Sequence, residues 1–297
     1  MTILIFGASG QVGDAAAASV VMAGQAGSLR LITHRADGVD DLRTLYPGAE
    51  VVVADYLDPE TLRSAFAGID RMMMNVPDFM PEPDATRNVV TAALACDPVP
   101  FVLRFGAYPP GKVLDDLTPA TRELGVGAAK HLKSIPVLKA SGVPHAVLNA
   151  PAWFMSNLTW MAAQSVRERG ELVIPVPRET PFIAPEDCGA AAAAILLDDS
   201  RCLNGGEYTI QGPEWLTFDD VAAKLTEILG KPVSYNDDTD IFRSYFGDMS
   251  DTLIEFFTES LVDYEGCTFK NDLPALLKRK PTTLATWLED NQGAFKT

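Results

Sequence analysis

Short apolar runs recur through the first half of the chain, at residues 2–6, 29–33, 50–54, 71–76, 101–105 and 145–149. Each is too short for a typical helix and closes at or near a polar, glycine or proline residue, so each reads as a strand buried on both faces. The stretches 11–23, 59–66, 84–95 and 121–141 between them carry helical patterning. Asp58 can cap the second helix with Pro59 in its first turn, and Pro136 is expected to interrupt the last. Strands alternating with helices predict an α/β fold with a doubly wound parallel sheet.

The pattern changes after residue 150. An extended segment at 170–176 precedes an alanine-rich helix at 186–197, a strand-like run at 207–211 and an amphipathic helix at 218–229 closed by Gly230. Residues 240–261 carry many aromatics and acids, and 284–291 forms a last helix. The expected division is a sheet domain, 1–150, with a smaller C-terminal α/β region, 151–297, packed on it across a soft boundary.

Composition narrows the function classes. With 297 residues and 47% hydrophobic content a sizeable core is possible, and a net charge of −16 opposes association with nucleic acid or anionic membranes. Cys96, Cys188, Cys202 and Cys267 form no Cys-x-x-Cys pair, and the three histidines are scattered, so neither a metal site nor a disulfide framework is signalled. The first residues read as a strand, not a signal peptide, and the apolar run 190–197 is far below the roughly 18 residues of a membrane span. Cytoplasm is the expected location, with a monomer or homodimer as the assembly.

Gly7, Gly10 and Gly13 follow the first strand and open the first helix. In such a turn the first glycine permits the tight bend, the second lets backbone N–H groups meet a pyrophosphate, and the third lets helix and strand approach. Gly7, Ser9, Gly10, Gln11, Val12 and Gly13 are therefore the expected dinucleotide cradle. After the second strand, Thr33-His34-Arg35 offers a cation and no acid before Asp37. His34 and Arg35 thus favour a ribose 2′-phosphate, hence NADP(H). Asp55 is expected near the adenine, and Asn75, Val76 and Pro77 at the middle of the cofactor.

The same residues resemble the NmrA-like branch of atypical short-chain dehydrogenases, which contains NAD(P)-binding regulators, quinone reductases and isoflavone-reductase-like enzymes. The likeness runs through Gly7-Ala8-Ser9-Gly10-Gln11-Val12-Gly13, residues 54–62, 148–157, 182–187 and 208–214, and His131, eleven residues before Gly142. It implies a Rossmann domain whose later segments hold a small-molecule substrate. Reductases of this branch often carry lysine where His131 stands, and the arginine that precedes the proline in the family is Ala150 here. Tyr108 and Lys112 match the Tyr-x-x-x-Lys of typical dehydrogenases, but Pro109, Pro110 and Gly111 oppose the helical turn that would stack them.

The expected activity is NADPH-dependent reduction of a small apolar or aromatic carbonyl, quinone or conjugated double bond. His131 is the expected proton donor, or Tyr108 if its loop folds inward. Histidine packing without chemistry is the plainer alternative. Phe79, Met80, Trp153, Phe154, Asn157 and Trp160 are the expected substrate contacts. Two other functions remain open: a non-catalytic NADP(H) sensor, and an epimerase or isomerase that retains its cofactor.

Overall fold

The early apolar runs become parallel strands because their side chains alternate between two buried faces. In the computed structural model, which describes residues 1–77 and 80–296, the strands are β1 (Ile3–Ile5), β2 (Leu29–Thr33), β3 (Glu50–Val53), β4 (Arg71–Met74), β5 (Phe101–Gly106) and β6 (His145–Asn149). The helices among them are α1 (Gln11–Met22), α2 (Gly38–Leu45), α3 (Pro59–Phe66), α4 (Glu82–Leu94), α5 (Pro119–Leu124) and α6 (Ala128–Lys139). Ile3, Ile5, Leu31 and Leu103 pack with residues of α1 and α2. Their neighbours Leu4, Ile32 and Val102 turn to the other face, against α3, α4 and the end of α6. The α/β doubly wound sheet is thus as expected.

The later elements are β7 (Trp153–Phe154), α7 (Asn157–Met161), α8 (Ala163–Arg169), β8 (Glu171–Val173), β9 (Thr180–Ile183), α9 (Pro185–Leu196), β10 (Gly206–Thr209), β11 (Glu214–Leu216), α10 (Phe218–Leu229), β12 (Ser234–Asn236), α11 (Thr239–Phe246), α12 (Ser250–Asp263), α13 (Leu273–Leu277) and α14 (Leu284–Asn291). Three of them return to the first layer: β10 pairs with β6, α9 packs on α1, and α13 packs on α9. The main sheet therefore has seven parallel strands in the order β3-β2-β1-β4-β5-β6-β10. A three-stranded sheet, β11-β9-β7, and the pair β12-β8 form the second layer with the remaining helices. The order reverses between β1 and β4, which opens a crevice beyond their carboxyl ends.

One sequence expectation is corrected. The helix foreseen at 121–141 breaks at Gly125 and Gly127, with φ of 65° and 55°, while Pro136 lies inside α6. A side chain at Gly127 would put its Cβ 2.4 Å from Phe256 Cε2. The break thus combines backbone geometry that favours glycine with a ring from α12 pressed against it. Helix α2 was not anticipated; it buries Leu42 alone and presents charge elsewhere.

Helices α1 and α9 meet through small residues. A Cβ on Gly189 would lie 2.5 Å from Ala15 Cβ and Ala16 N, so any side chain forces the helices apart. Gly189→Val is expected to cost about 1–3 kcal/mol, the scale of overpacking. Denaturant unfolding should give a lower midpoint than the parent; an unchanged midpoint would refute the close contact.

Candidate functional site

The turn from β1 to α1 is built by its glycines. Gly7 has φ of 72°, and Gly10 N–H donates to Gly7 O at 2.9 Å. A Cβ on Gly13 would sit 2.0 Å from Gly7 O, so the first helical turn lies directly on the end of the strand. A Cβ on Gly10 would meet only Gly7 O, at 3.4 Å, and otherwise faces open space. No side chain caps α1, and the N–H groups of Gln11 and Val12 have no hydrogen-bond acceptor among the described residues. Unmet donors at a helix N-terminus in a crevice suit a phosphate. Asn75, after β4, lies against the first glycine: its Nδ2 is 3.3 Å from the Cβ position of Gly7.

Beside this turn Ser9, Thr33, His34 and Arg35 surround a hollow of about 250 Å³ with Ala8, Asp14 and Asp41. Arg35 is exposed and its Nε lies 3.2 Å from the equally exposed Asp37. Such a surface pair holds little energy and leaves the guanidinium available. Asp55 is less available, since its Oδ1 accepts from Leu57 N–H at 2.8 Å within its own turn. Val76 is buried and its carbonyl accepts from Lys130 Nζ at 3.4 Å, while Pro77 is exposed.

Beyond the C-terminal end of the sheet lies a polar cluster that sequence reasoning did not foresee. Arg104 of β5 is 1% exposed, and its Nη2 donates to Glu82 Oε1 at the start of α4. Ser134 Oγ donates to the same carboxylate oxygen. Burial pulls the Arg104 pKa down to about 10, so the group stays charged at neutral pH. Its Nη2 also lies 2.8 Å from His131 Nδ1. His131 Nδ1 lies between this guanidinium and the carboxylate, 3.2 Å from Glu82 Oε2 and 3.4 Å from Oε1. The clue available in the sequence was one arginine within the otherwise apolar strand Phe101–Gly106.

His131 also lines a second, larger cavity of about 390 Å³. Trp153, Phe154, Asn157 and Trp160 line it too, so four of the expected substrate contacts converge. Met80 is not among its lining residues and packs instead, half-buried, on the core beneath β4. Phe79 lies outside the described residues. Helix α12 and its flanks supply walls that the sequence reading left unassigned, among them Phe256, Phe257 and Tyr264. Arg178 and Asp263 line it as well; the Asp263 carboxylate accepts from Thr118 N–H at 2.8 Å and Thr121 Oγ1 at 2.5 Å.

Tyr108 does not line this cavity. Its ring lies beside His131, with centroids 6.5 Å apart, but its hydroxyl donates to Glu207 Oε1 at 3.0 Å. Burial and the Glu207 charge hold this phenol well above the usual tyrosine range, the reverse of an activated tyrosine. The chain from 107 to 113 forms no helix, so Lys112 is not stacked on Tyr108.

The chain is 28% identical to an NAD(P)H azoreductase of Xenophilus azovorans over 63% of its length, an alignment that spans 61% of that protein. It is 29% identical to a (4-alkanoyl-5-oxo-2,5-dihydrofuran-3-yl)methyl phosphate reductase of Streptomyces griseus, over 79% of this chain and 76% of the relative. In fold it is similar to the NADPH-dependent quinone oxidoreductase QOR2 of Escherichia coli complexed with NADPH, with a TM-score of 0.80, 24% identity, and 98% and 100% of the two chains covered. The NmrA-like family is matched over residues 1–288, and the chain belongs to that family.

Proposed function

We propose that the protein is an NADPH-dependent reductase of a small apolar or aromatic substrate with a carbonyl, quinone or conjugated double bond. The observation that carries this is an uncapped glycine cradle beside an aromatic-walled cavity with a histidine in its wall. Adjacent residues of α6 link the two: Lys130 reaches the carbonyl of Val76 beyond β4, and His131 lines the cavity. The names of the azoreductase and phosphate reductase relatives support the same class of reaction.

Each group has a role in this reading. The N–H groups at Ser9, Gln11 and Val12 hold the pyrophosphate, with Gly10 giving them access. Arg35 and His34 meet the 2′-phosphate, and Asn75, Val76 and Pro77 border the middle of the cofactor; Asp55 borders the adenine. When bound, NADPH supplies the reducing equivalent to the substrate. His131, its Nδ1 held by Arg104 and Glu82, is the proton donor to the developing oxyanion or carbanion. Trp153, Phe154 and Trp160 orient a flat substrate and exclude water, and Asn157 is its polar contact. A cavity of this size favours an enzyme over a cofactor sensor. Net NADPH consumption with quinones, enones or aryl ketones separates a reductase from a cofactor-retaining isomerase.

Three outcomes are expected. NADP(H) binds more tightly than NAD(H) in calorimetry, and Arg35→Ala weakens NADP(H) by about 1–3 kcal/mol, the scale of a charge-assisted hydrogen bond; equal affinity of the parent for both cofactors would refute the assignment.

Gly10→Val keeps its circular dichroism spectrum, because its Cβ meets only Gly7 O, at 3.4 Å. It nevertheless loses NADPH binding, because the side chain stands where the pyrophosphate must approach. Normal NADPH affinity in a folded Gly10→Val protein would remove that role.

His131→Ala lowers kcat by roughly 10²–10⁴ with NADPH affinity nearly unchanged. Tyr108→Phe does much less, since its hydroxyl is spent on Glu207. A silent His131→Ala would assign protonation to another group.

A further inference from the structure

Among the described residues lining the large cavity there is one arginine, Arg178, and no lysine. Arg178 sits in the loop between β8 and β9, with its guanidinium 5.6 Å from the ring centroid of Tyr264 on the following wall. Only one of its donors is satisfied, and weakly: Nη1 reaches Ser260 O at 3.3 Å. Its Nε is buried without a partner, and Nη2 makes no hydrogen bond among the described residues. No carboxylate pairs with it among those residues, whereas arginines elsewhere on the surface form many ion pairs. Two acids share the wall: Asp263 has its oxygens engaged by Thr118 and Thr121, and Glu179, exposed and next to Arg178 in the chain, makes no ion pair with it among the described residues. Trp153 Nε1, in the same wall, is a second buried donor without an acceptor.

A half-buried guanidinium with spare donors is costly unless something accepts from it. Partial burial already lowers the Arg178 pKa, as expected of a cation short of counter-charge. The surrounding walls are rings: Trp153, Phe154, Phe256, Phe257 and Tyr264. We propose that the cavity binds a flat aromatic substrate bearing an anionic oxygen group, a carboxylate, sulfonate or phosphate, and that Arg178 is the residue that selects for that group. This rests on reading the cavity as the substrate site. The ring system lies among the aromatic walls with its reducible bond towards His131, and the anion accepts from the terminal guanidinium nitrogens of Arg178.

Calorimetry on the NADPH-saturated protein tests this without turnover. The probes are 2-naphthoate, naphthalene-2-sulfonate and 2-naphthyl phosphate against uncharged 2-naphthamide. At least one anion should bind roughly tenfold or more tightly than the amide, the scale of a charge-assisted hydrogen bond; the preferred anion identifies the group. Arg178→Met should abolish the preference while the protein keeps its circular dichroism spectrum and its NADPH affinity, and Arg178→Lys should retain part of it. The proposal is overturned if the amide binds as well as every anion, if no probe binds at millimolar concentration, or if Arg178→Met keeps the preference. Anion-selective binding without any reductase activity would uphold Arg178 and overturn the catalytic reading instead.

Discussion

The close seating of α1 on the end of β1 is the constraint on which the other arrangements depend. A parallel sheet with helices on both faces needs helix and strand backbones to approach, and at Gly13 that approach leaves no room for a Cβ, which would lie 2.0 Å from Gly7 O. The same seating aims the N–H groups of Gln11 and Val12 into the crevice beyond the carboxyl ends of β1 and β4, where the strand order reverses. A second small-residue contact follows from it. Gly189 lets α9 lie on α1, which brings β10 back beside β6 and ties the later chain to the first layer.

The buried Arg104 sets a different requirement. A guanidinium that is 1% exposed must have its charge answered nearby, since the cost of burying an unpaired ion is several kcal/mol. Glu82 answers it from the first turn of α4, and Ser134 and His131 close round the pair from α6. Helices α4 and α6 are thereby fixed relative to β5 at the very end of the sheet where the cavity begins. Structural and chemical demands coincide there, because the cluster that satisfies the guanidinium also holds the His131 ring in the cavity wall.

The cavity is a product of the second layer. Phe256 and Phe257 project from one helix, α12, which also faces α5, so the roof is positioned by the same contact that splits α5 from α6 at Gly127. Aromatic walls offer much apolar area but few hydrogen bonds. Polar side chains in this wall are accordingly few, His131, Asn157 and Arg178 among them.

Local patterning was enough to read the strands of the main sheet, about half of the helices, the glycine turn and the basic pair His34-Arg35, because each is decided by residues within a few positions of one another; β7, β9, β11 and β12 and the helices α2, α7, α8, α11, α12 and α13 escaped it. It also rejected the Tyr108–Lys112 match, since Pro109, Pro110 and Gly111 act on their own backbone. Long-range contact decided the rest. Pro136 looked like the helix breaker, yet α6 carries it and the break falls at Gly127 under the ring of Phe256. Met80 had the right chemistry for the cavity but packs on the core. The partnership of Glu82, Arg104 and His131 joins three elements whose separation along the chain hides it, and the pairing of Arg178 with Tyr264 is hidden likewise. The sequence by itself determined where the backbone must bend and which segments must be buried, because those follow from short-range sterics and periodicity. Only the tertiary structure decided which buried charges meet and which rings enclose a cavity, because compensation of a desolvated charge and closure of an apolar wall depend on distance in space, not along the chain.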